Sequence, residues 1–342
     1  MRYMTKLPEI VTIEPDAAHK ISEIIKPLNM KKRCLIVTDE NIKKIAGNSV
    51  FESLTNYDAS ICVQNSTEKK EVENFSETMK NYDFAIAVGG GKIIDITKYA
   101  CYLSKKPWIS FPTVFSHDGI VSSRVSLTHN NSKISIKANG PVAVIADYNI
   151  IKKAPTRWLS SGIADLLSNI TAVEDWRLAD KAGKEELNQL CAGLSLTAAE
   201  SVIKDKIRIM EKNENGLKTM LWALIFSGMS MNIYGTSRPA SGSEHNFSHA
   251  LEKLGSNGLH GEQCGLGSII SSYLQKQDWK KMKNSLRSFN CPVNSKEIGI
   301  PAEKLVQALT LAPKIRDRYT VLNKYKIDEK FAREVLEATE II

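Results

Sequence analysis

The chain has 342 residues, 42% of them hydrophobic and 25% charged, with 46 lysines and arginines against 38 acids for a net charge of +8. This is the balance of a globular protein long enough for two domains or one large α/β unit, and it excludes disordered and low-complexity classes. The basic excess is scattered in doublets such as Lys31-Lys32, Lys69-Lys70 and Lys280-Lys281, without an arginine stripe or interleaved aromatics, so it reads as solvated surface and no nucleic-acid partner is expected.

In chain order, MRYMTKLPEI lacks the apolar core of a signal peptide. Residues 33–37 form a short apolar run that ends in Thr38-Asp39, and 59–63 form a second. Residues 83–88 form a third, which leads into Gly89-Gly90-Gly91; 92–103 then read as a helix. Residues 108–111 and 142–146 are further short strands. Between them, 124–136 carry two alternating runs around His129-Asn130-Asn131, a hairpin signature. Strands alternating with helices predict a parallel sheet covered on both faces.

After Asp147 no strand-type run stands out. Helical periodicity predicts helices over 160–179, with a serine able to cap the start, and over 185–210, 217–234, 243–253, 261–275 and 303–318. A boundary near 146–153 divides an α/β domain (1–150) from an all-helical domain (151–342), with an active site expected in the cleft between them. Apolar segments such as 220–231 are too short and interrupted to span a bilayer, so no membrane insertion is expected. The six cysteines (Cys34, Cys62, Cys101, Cys191, Cys264, Cys291) are widely spaced without CxxC. Neither a disulfide framework nor a structural zinc site is expected, and a reducing cytoplasm fits.

Two features suggest chemistry. The strand–GGG–helix segment offers a close backbone approach and free N–H groups to a pyrophosphate. It matches neither standard nucleotide fingerprint, and it reads equally as a bare tight turn. Asp39 at a strand end suits ribose hydroxyls and repels a 2′-phosphate. It also reads as a helix cap before Asn41, and Lys43 and Lys44 nearby suit a 2′-phosphate. The second feature is histidine placement. Of six histidines, three fall within 245–260: His245, His249 and His260. An i, i+4 pair projects from one helix face, and His260 can fold back from a second helix. Neutral imidazole is the commonest metal ligand, and a catalytic divalent metal takes about three protein ligands and an open position. A carboxylate is still needed.

Four segments carry a resemblance. They are Gly89-Gly90-Gly91-Lys92-Ile93-Ile94-Asp95, Phe111-Pro112-Thr113-Val114-Phe115-Ser116-His117-Asp118-Gly119, Ser161-Gly162-Ile163-Ala164-Asp165 to Asn169-Ile170-Thr171-Ala172, and Ser237-Arg238-Pro239-Ala240-Ser241-Gly242-Ser243-Glu244-His245. In this order, over almost the whole chain, it resembles the iron-containing alcohol dehydrogenase, glycerol dehydrogenase and dehydroquinate synthase superfamily. Within that superfamily it is most similar to the sn-glycerol-1-phosphate dehydrogenases of archaeal ether-lipid synthesis.

The resemblance implies a Rossmann-like α/β N-terminal domain followed by an all-α C-terminal domain. It implies Asp165 as the missing carboxylate, making a zinc site with His245 and His260, one Zn2+ per subunit. Iron-preferring relatives carry a further histidine four positions after this aspartate, where this chain has Asn169. Without the resemblance, Asp165 reads as a helix-start carboxylate. The resemblance also implies Asp118, Asp165 and His249 at the substrate. Gly89, Gly90, Gly91, Lys92, Ile93, Ile94 and Asp95 would then follow the pyrophosphate of NAD(H) or NADP(H). Thr113, Val114, Phe115, Ser116 and Ser122 would contact the dinucleotide, and Lys133 a cofactor phosphate. Arg238 is the pick for a substrate phosphate, since an arginine fork suits one. The bland readings are a hydrogen-bonded core histidine for His249, an exposed hairpin lysine for Lys133 and an acid-paired arginine for Arg238. The implied activity is reversible NAD(P)H-linked reduction of dihydroxyacetone phosphate to glycerol 1-phosphate by a homo-oligomer. The alternatives are a glycerol or other polyol dehydrogenase of the same superfamily, and a non-catalytic nucleotide- or nucleic-acid-binding protein.

Overall fold

The structure, a computed structural model, describes residues 7–130 and 132–342. The N-terminal Met1 to Lys6, part of the segment read above for a signal peptide, and Asn131 of the hairpin turn lie outside the described residues.

Among the described residues eight strands occur: β1 (Ile10–Glu14), β2 (Arg33–Thr38), β3 (Asp58–Val63), β4 (Phe84–Gly89), β5 (Trp108–Pro112), β6 (Arg124–His129), β7 (Ser132–Lys137) and β8 (Ala143–Asp147). Six form a parallel sheet in the order β1-β8-β5-β4-β2-β3; β6 and β7 form an antiparallel ribbon. The short apolar runs become strands because both faces of the sheet are covered, so the inner strands are apolar almost throughout. The side chains divide with period two. Leu35, Val37, Ala85, Ala87, Val144 and Ala146 enter one core, and Cys34, Ile36, Phe84, Ile86, Val88 and Ile145 the other.

β1 is absent from the expected strands. It is a half-buried edge strand paired only with β8, from Ile10 against Ala143 to Glu14 against Asp147, and a polar-interrupted IVTIE carries little apolar signal. In the ribbon, His129 faces Ser132 and Asn130 takes a positive φ of 50°.

β2 leads outward to β3, whereas β4 leads to β5 on its other side. Neighbouring strands whose connections diverge create a crevice at their carboxyl ends, the usual ligand position in an open α/β sheet. Here those ends are Thr38-Asp39 and Gly89-Gly90-Gly91.

Beyond Asp147 the described residues form helices and loops. The Thr156–Lys181 helix is the axis of this half, buried on most sides, and it packs against the Gln189–Lys204 and His260–Leu274 helices. It starts four residues before the expected 160, directly after Pro155. Ser160 does not cap it; its hydroxyl donates to the Phe289 carbonyl at 2.7 Å. The helix expected over 185–210 is two, Gln189–Lys204 and Lys206–Met210, interrupted at Asp205, whose carboxylate takes the Thr219 hydroxyl at 2.6 Å. The last expected helix stops at Leu311 because Pro313 lies in the following 3-10 turn. Helices at Trp279–Ser288 and Glu329–Ala338 were not expected. None of the described helices is long and apolar enough to cross a membrane.

Helices in this half approach one another at glycines. A Cβ on Gly261 would overlap the Ser161 carbonyl oxygen, and one on Gly267 would lie 2.8 Å from Glu244 Cα. Replacing Gly261 with alanine should therefore cost about 1–3 kcal/mol by overpacking, read as a lower midpoint in urea denaturation. An unchanged midpoint would contradict this packing.

Candidate active site

The crevice at the ends of β2 and β4 opens into a cavity of about 650 Å³, walled on the sheet side by Asp39, Gly90, Gly91, Lys92, Ile93, Thr113, Val114 and Ser116. Trp158, Ser161, Gly258 and Leu259 close it from the helical half. The Gly91–Ser104 helix starts here with no side chain capping it, so its first N–H groups are free for an anion. Gly91 must be glycine, because a Cβ would overlap His117 Nε2. Asp39 is a helix cap, accepting from the Asn41 and Ile42 amides at 2.9 Å through Oδ1, and the same residue lines the cavity.

A second cavity of about 420 Å³ shares Gly91, Lys92, His117, Lys133 and His260 with the first. Its wall also includes Asp95, Asp118, Ser122, His245 and His249. Here three helices bring Asp165, His245 and His260 together. With Cys264, they place one potential ligand atom each within 4.8 Å of one another. The Nε2 atoms of His245 and His260 lie 3.6 and 3.8 Å from Asp165 Oδ1. Their Nδ1 atoms turn outward: His245 to Glu244 Oε1 at 3.0 Å, His260 to Ser248 Oγ at 3.2 Å and Glu252 Oε1 at 3.5 Å. An outer carboxylate on Nδ1 is what fixes a ligating imidazole with its Nε2 lone pair facing a metal. Burial, reinforced by His260, pushes His245 well below its ordinary value, which keeps that lone pair available. The donor set of one carboxylate, two imidazoles and a neighbouring thiol fits a borderline-soft divalent ion.

Two further groups face this cluster. Asp118 donates its amide to Asp165 Oδ2 (3.1 Å) and accepts the Ser227 hydroxyl at 2.7 Å. Burial, with the charge of Asp165, pushes its carboxyl up to about 7. His249 Nδ1 meets Glu252 Oε2 at 3.0 Å, and burial together with the Arg316 charge pushes its imidazole down to about 4.

The remaining expected residues divide. Gly89 ends β4, its carbonyl taken by the Thr113 amide, and Ile94 and Phe115 are core; none of the three lines either cavity. Arg238 is a correction. It is fully buried, donates to the carbonyls of Asp175 and Tyr319, meets Glu185 at 3.3 Å, and lines neither cavity. Its place beside the motif in sequence gave no indication of where its side chain points.

The comparisons with known proteins agree with this architecture. Residues 12–155 match the family profile described as iron-containing alcohol dehydrogenase. The chain is 42% identical over 345 residues to a glycerol-1-phosphate dehydrogenase [NAD(P)+] of Pyrococcus abyssi, covering 99% of this chain and all of the relative. It is 41% identical to the protein of the same name from Methanobrevibacter smithii, over 98% of each. The chain belongs to the glycerol-1-phosphate dehydrogenase family. This is a family of oxidoreductases, so the chain is an enzyme. In fold, this family member is similar to a glycerol dehydrogenase from Schizosaccharomyces pombe, with a TM-score of 0.82 at 18% identity over 99% of this chain and 90% of that one. A probable glycerol dehydrogenase from Sinorhizobium meliloti gives 0.81 at 16% identity, covering 99% and 98%.

Several residues around these cavities were given no role from the sequence: Glu252, Cys264, Arg124 and Arg316, and also His117 and Glu244, although both stand inside the resembling segments. Lys98 is another. It is fully buried, and its ammonium reaches Asp95 Oδ1 at 3.2 Å and the carbonyls of Gly119 and Arg124 at 2.7 Å, while Asp95 Oδ2 accepts the Ser126 amide. Burial lowers its pKa and Asp95 opposes that. Lys98 thus pins the Asp118–Arg124 wall to the glycine-turn helix. Lys98→Met leaves a buried carboxylate without its partner, and should cost about 3–5 kcal/mol in chemical denaturation. A cost below about 1 kcal/mol would contradict this role.

Proposed function

We propose that this protein is a zinc-dependent, NAD(P)H-linked reductase that reversibly converts dihydroxyacetone phosphate to sn-glycerol 1-phosphate, supplying the backbone of archaeal ether phospholipids. One observation carries the reading. Asp165, His245 and His260 converge where a cavity at a glycine-turn helix meets a second cavity, in a chain related end to end to proteins named glycerol-1-phosphate dehydrogenase [NAD(P)+].

On this reading, 1–150 carries the dinucleotide and 151–342 the metal and most substrate contacts. Asp165, His245 and His260 would hold one zinc ion, which would supply Lewis-acid polarisation of the C2 carbonyl. Asn169 turns its amide to Ser195 and Ser227, consistent with a set that does not extend to that position. The nicotinamide supplies the hydride, and the protein's task is orientation.

The chain's own residues divide the remaining work. The free amides at Gly91 and Lys92 receive the pyrophosphate, and Lys133, in the wall of both cavities, reaches a cofactor phosphate. Thr113, Val114, Ser116 and Ser122 line the path of the dinucleotide, and Asp39 offers its second carboxylate oxygen to ribose hydroxyls. Asp118, whose carboxylate accepts the Ser227 hydroxyl, hydrogen-bonds a substrate hydroxyl. His249 stands neutral, anchored through Nδ1 by Glu252, with Nε2 left to relay a proton at the substrate oxygen.

The direct test is NAD(P)H oxidation with dihydroxyacetone phosphate before and after chelation and zinc add-back. The product is then offered to an enzyme that oxidises only sn-glycerol 3-phosphate. Zinc-dependent turnover to a product which that enzyme ignores is expected. Turnover with free glycerol or dihydroxyacetone alone would reject the phosphorylated substrate. Asp165→Ala and His260→Ala should each weaken zinc retention by roughly a hundredfold or more and lose turnover in parallel. Either variant with stoichiometric zinc and near-normal turnover would reject the ligand assignment.

A further inference from the structure

Arg316 and Arg318 follow the 3-10 turn Ala312–Lys314 and fold over the segment around Ser237–Ser241. Arg316 donates through Nε to Asn246 Oδ1 and through Nη2 to Ser241 Oγ, both at 3.1 Å. Arg318 donates to the Ser241 carbonyl at 2.6 Å and to Ser237 Oγ at 3.2 Å. Every one of these acceptors is neutral. Among the described residues, neither guanidinium has a carboxylate within ion-pair distance, unlike Arg238 with Glu185. Glu244 and Glu252 oppose the Arg316 charge from farther off, but both are already taken by the metal-cluster histidines, and Glu244 by Thr171 as well. Burial pushes Arg316 down to about 10 and Arg318 to about 9, the latter helped by its neighbours Arg316 and Arg238. Both side chains are half-buried, and neighbouring cations with no acid at ion-pair distance favour an anion joining them.

Only one of the two faces the chemistry. Arg316 lines the cavity that holds His245, His249 and His260, together with Arg124, Ser237 and Ser241. Arg124 Nε is buried there with no hydrogen-bond partner. Arg316 Nη1 carries no hydrogen bond among the described residues and remains free to donate. Neither arginine lines the cavity at the glycine turn, whereas Lys92 and Lys133 line both. Arg316 and Arg124 therefore serve a different anion from the dinucleotide pyrophosphate.

We infer that Arg316, with Arg124 in the same wall and Ser241 beside it, forms the subsite for the phosphate monoester of the substrate. This rests on the function proposed above and gives the main phosphate contact to Arg316, distant in sequence from every motif. The arginine fork matches two phosphate oxygens, and the dianion supplies the charge the cluster lacks.

The test compares wild type with Arg316→Gln, Arg316→Lys and Arg124→Gln, each assayed with dihydroxyacetone phosphate and with unphosphorylated dihydroxyacetone. Thermal unfolding with and without millimolar inorganic phosphate provides a second readout. Arg316→Gln should lower kcat/KM for the phosphate ester about a hundredfold more than for dihydroxyacetone, mainly through KM, with partial recovery in Arg316→Lys. Inorganic phosphate should raise the Tm of wild type and not that of Arg316→Gln. Equal losses on both ketones, or an unchanged KM for the ester in Arg316→Gln and Arg124→Gln, would overturn the subsite. If Arg316→Gln does not fold, Arg124→Gln decides, because its Nε has no bond to lose. A wild type that reduces no phosphorylated ketone overturns the proposed function instead. The phosphate-dependent Tm then still decides whether Arg316 holds an anion.

Discussion

The site depends on how closely three helices approach. Asp165, His245 and His260 come from the Thr156–Lys181, Ser243–Lys253 and His260–Leu274 helices. Side chains as short as aspartate can share an ion only if their backbones nearly touch. Glycine supplies that contact: Gly261 against the Ser161 carbonyl, Gly267 against Glu244, and Gly162 against the Phe115 carbonyl of the loop after β5. The last contact also ties the helical half to the sheet, so the spacing of Asp165, His245 and His260 and the closure of the cavity at the glycine turn follow from one packing constraint.

Around that contact lies a layer of buried charge. Glu244 and Glu252 hold the outer nitrogens of the histidines, and burial raises Glu244 above the ordinary carboxylate range. Asp175, pushed up to about 6 by burial and by Glu244, gathers the Ser243 amide, the Val321 amide and Gln275. Lys98 does the same from the sheet side. Such groups cost solvation energy and return it as orientation.

The fold was legible where burial is uniform. Strands covered on both faces announce themselves as apolar runs, and the helix at Ser243–Lys253 matches its expected bounds. β1 escaped notice because an edge strand has one neighbour and needs less apolar surface. The break at Asp205 arises beside a side-chain bond to Thr219, which no local pattern encodes. At the site, the histidine trio was visible from spacing alone. Asp165 was not, being one of 38 acids and 80 positions from His245 (245 − 165), and only the resemblance singled it out. Arg316 lies 67 positions beyond His249 (316 − 249), in a segment with no motif, and only the folded chain brings the two together. Arg238 shows the converse, a residue inside a motif whose guanidinium turns to the carbonyls of Asp175 and Tyr319 and to Glu185.

The most direct test is anomalous diffraction at the zinc edge from crystals of the zinc-loaded protein. One peak per chain is predicted between Asp165 Oδ1 and the Nε2 atoms of His245 and His260, at roughly 2.0–2.2 Å from each. A peak elsewhere, or none in protein that retains zinc in solution, would contradict the claim that these three helices exist in this arrangement to hold a metal.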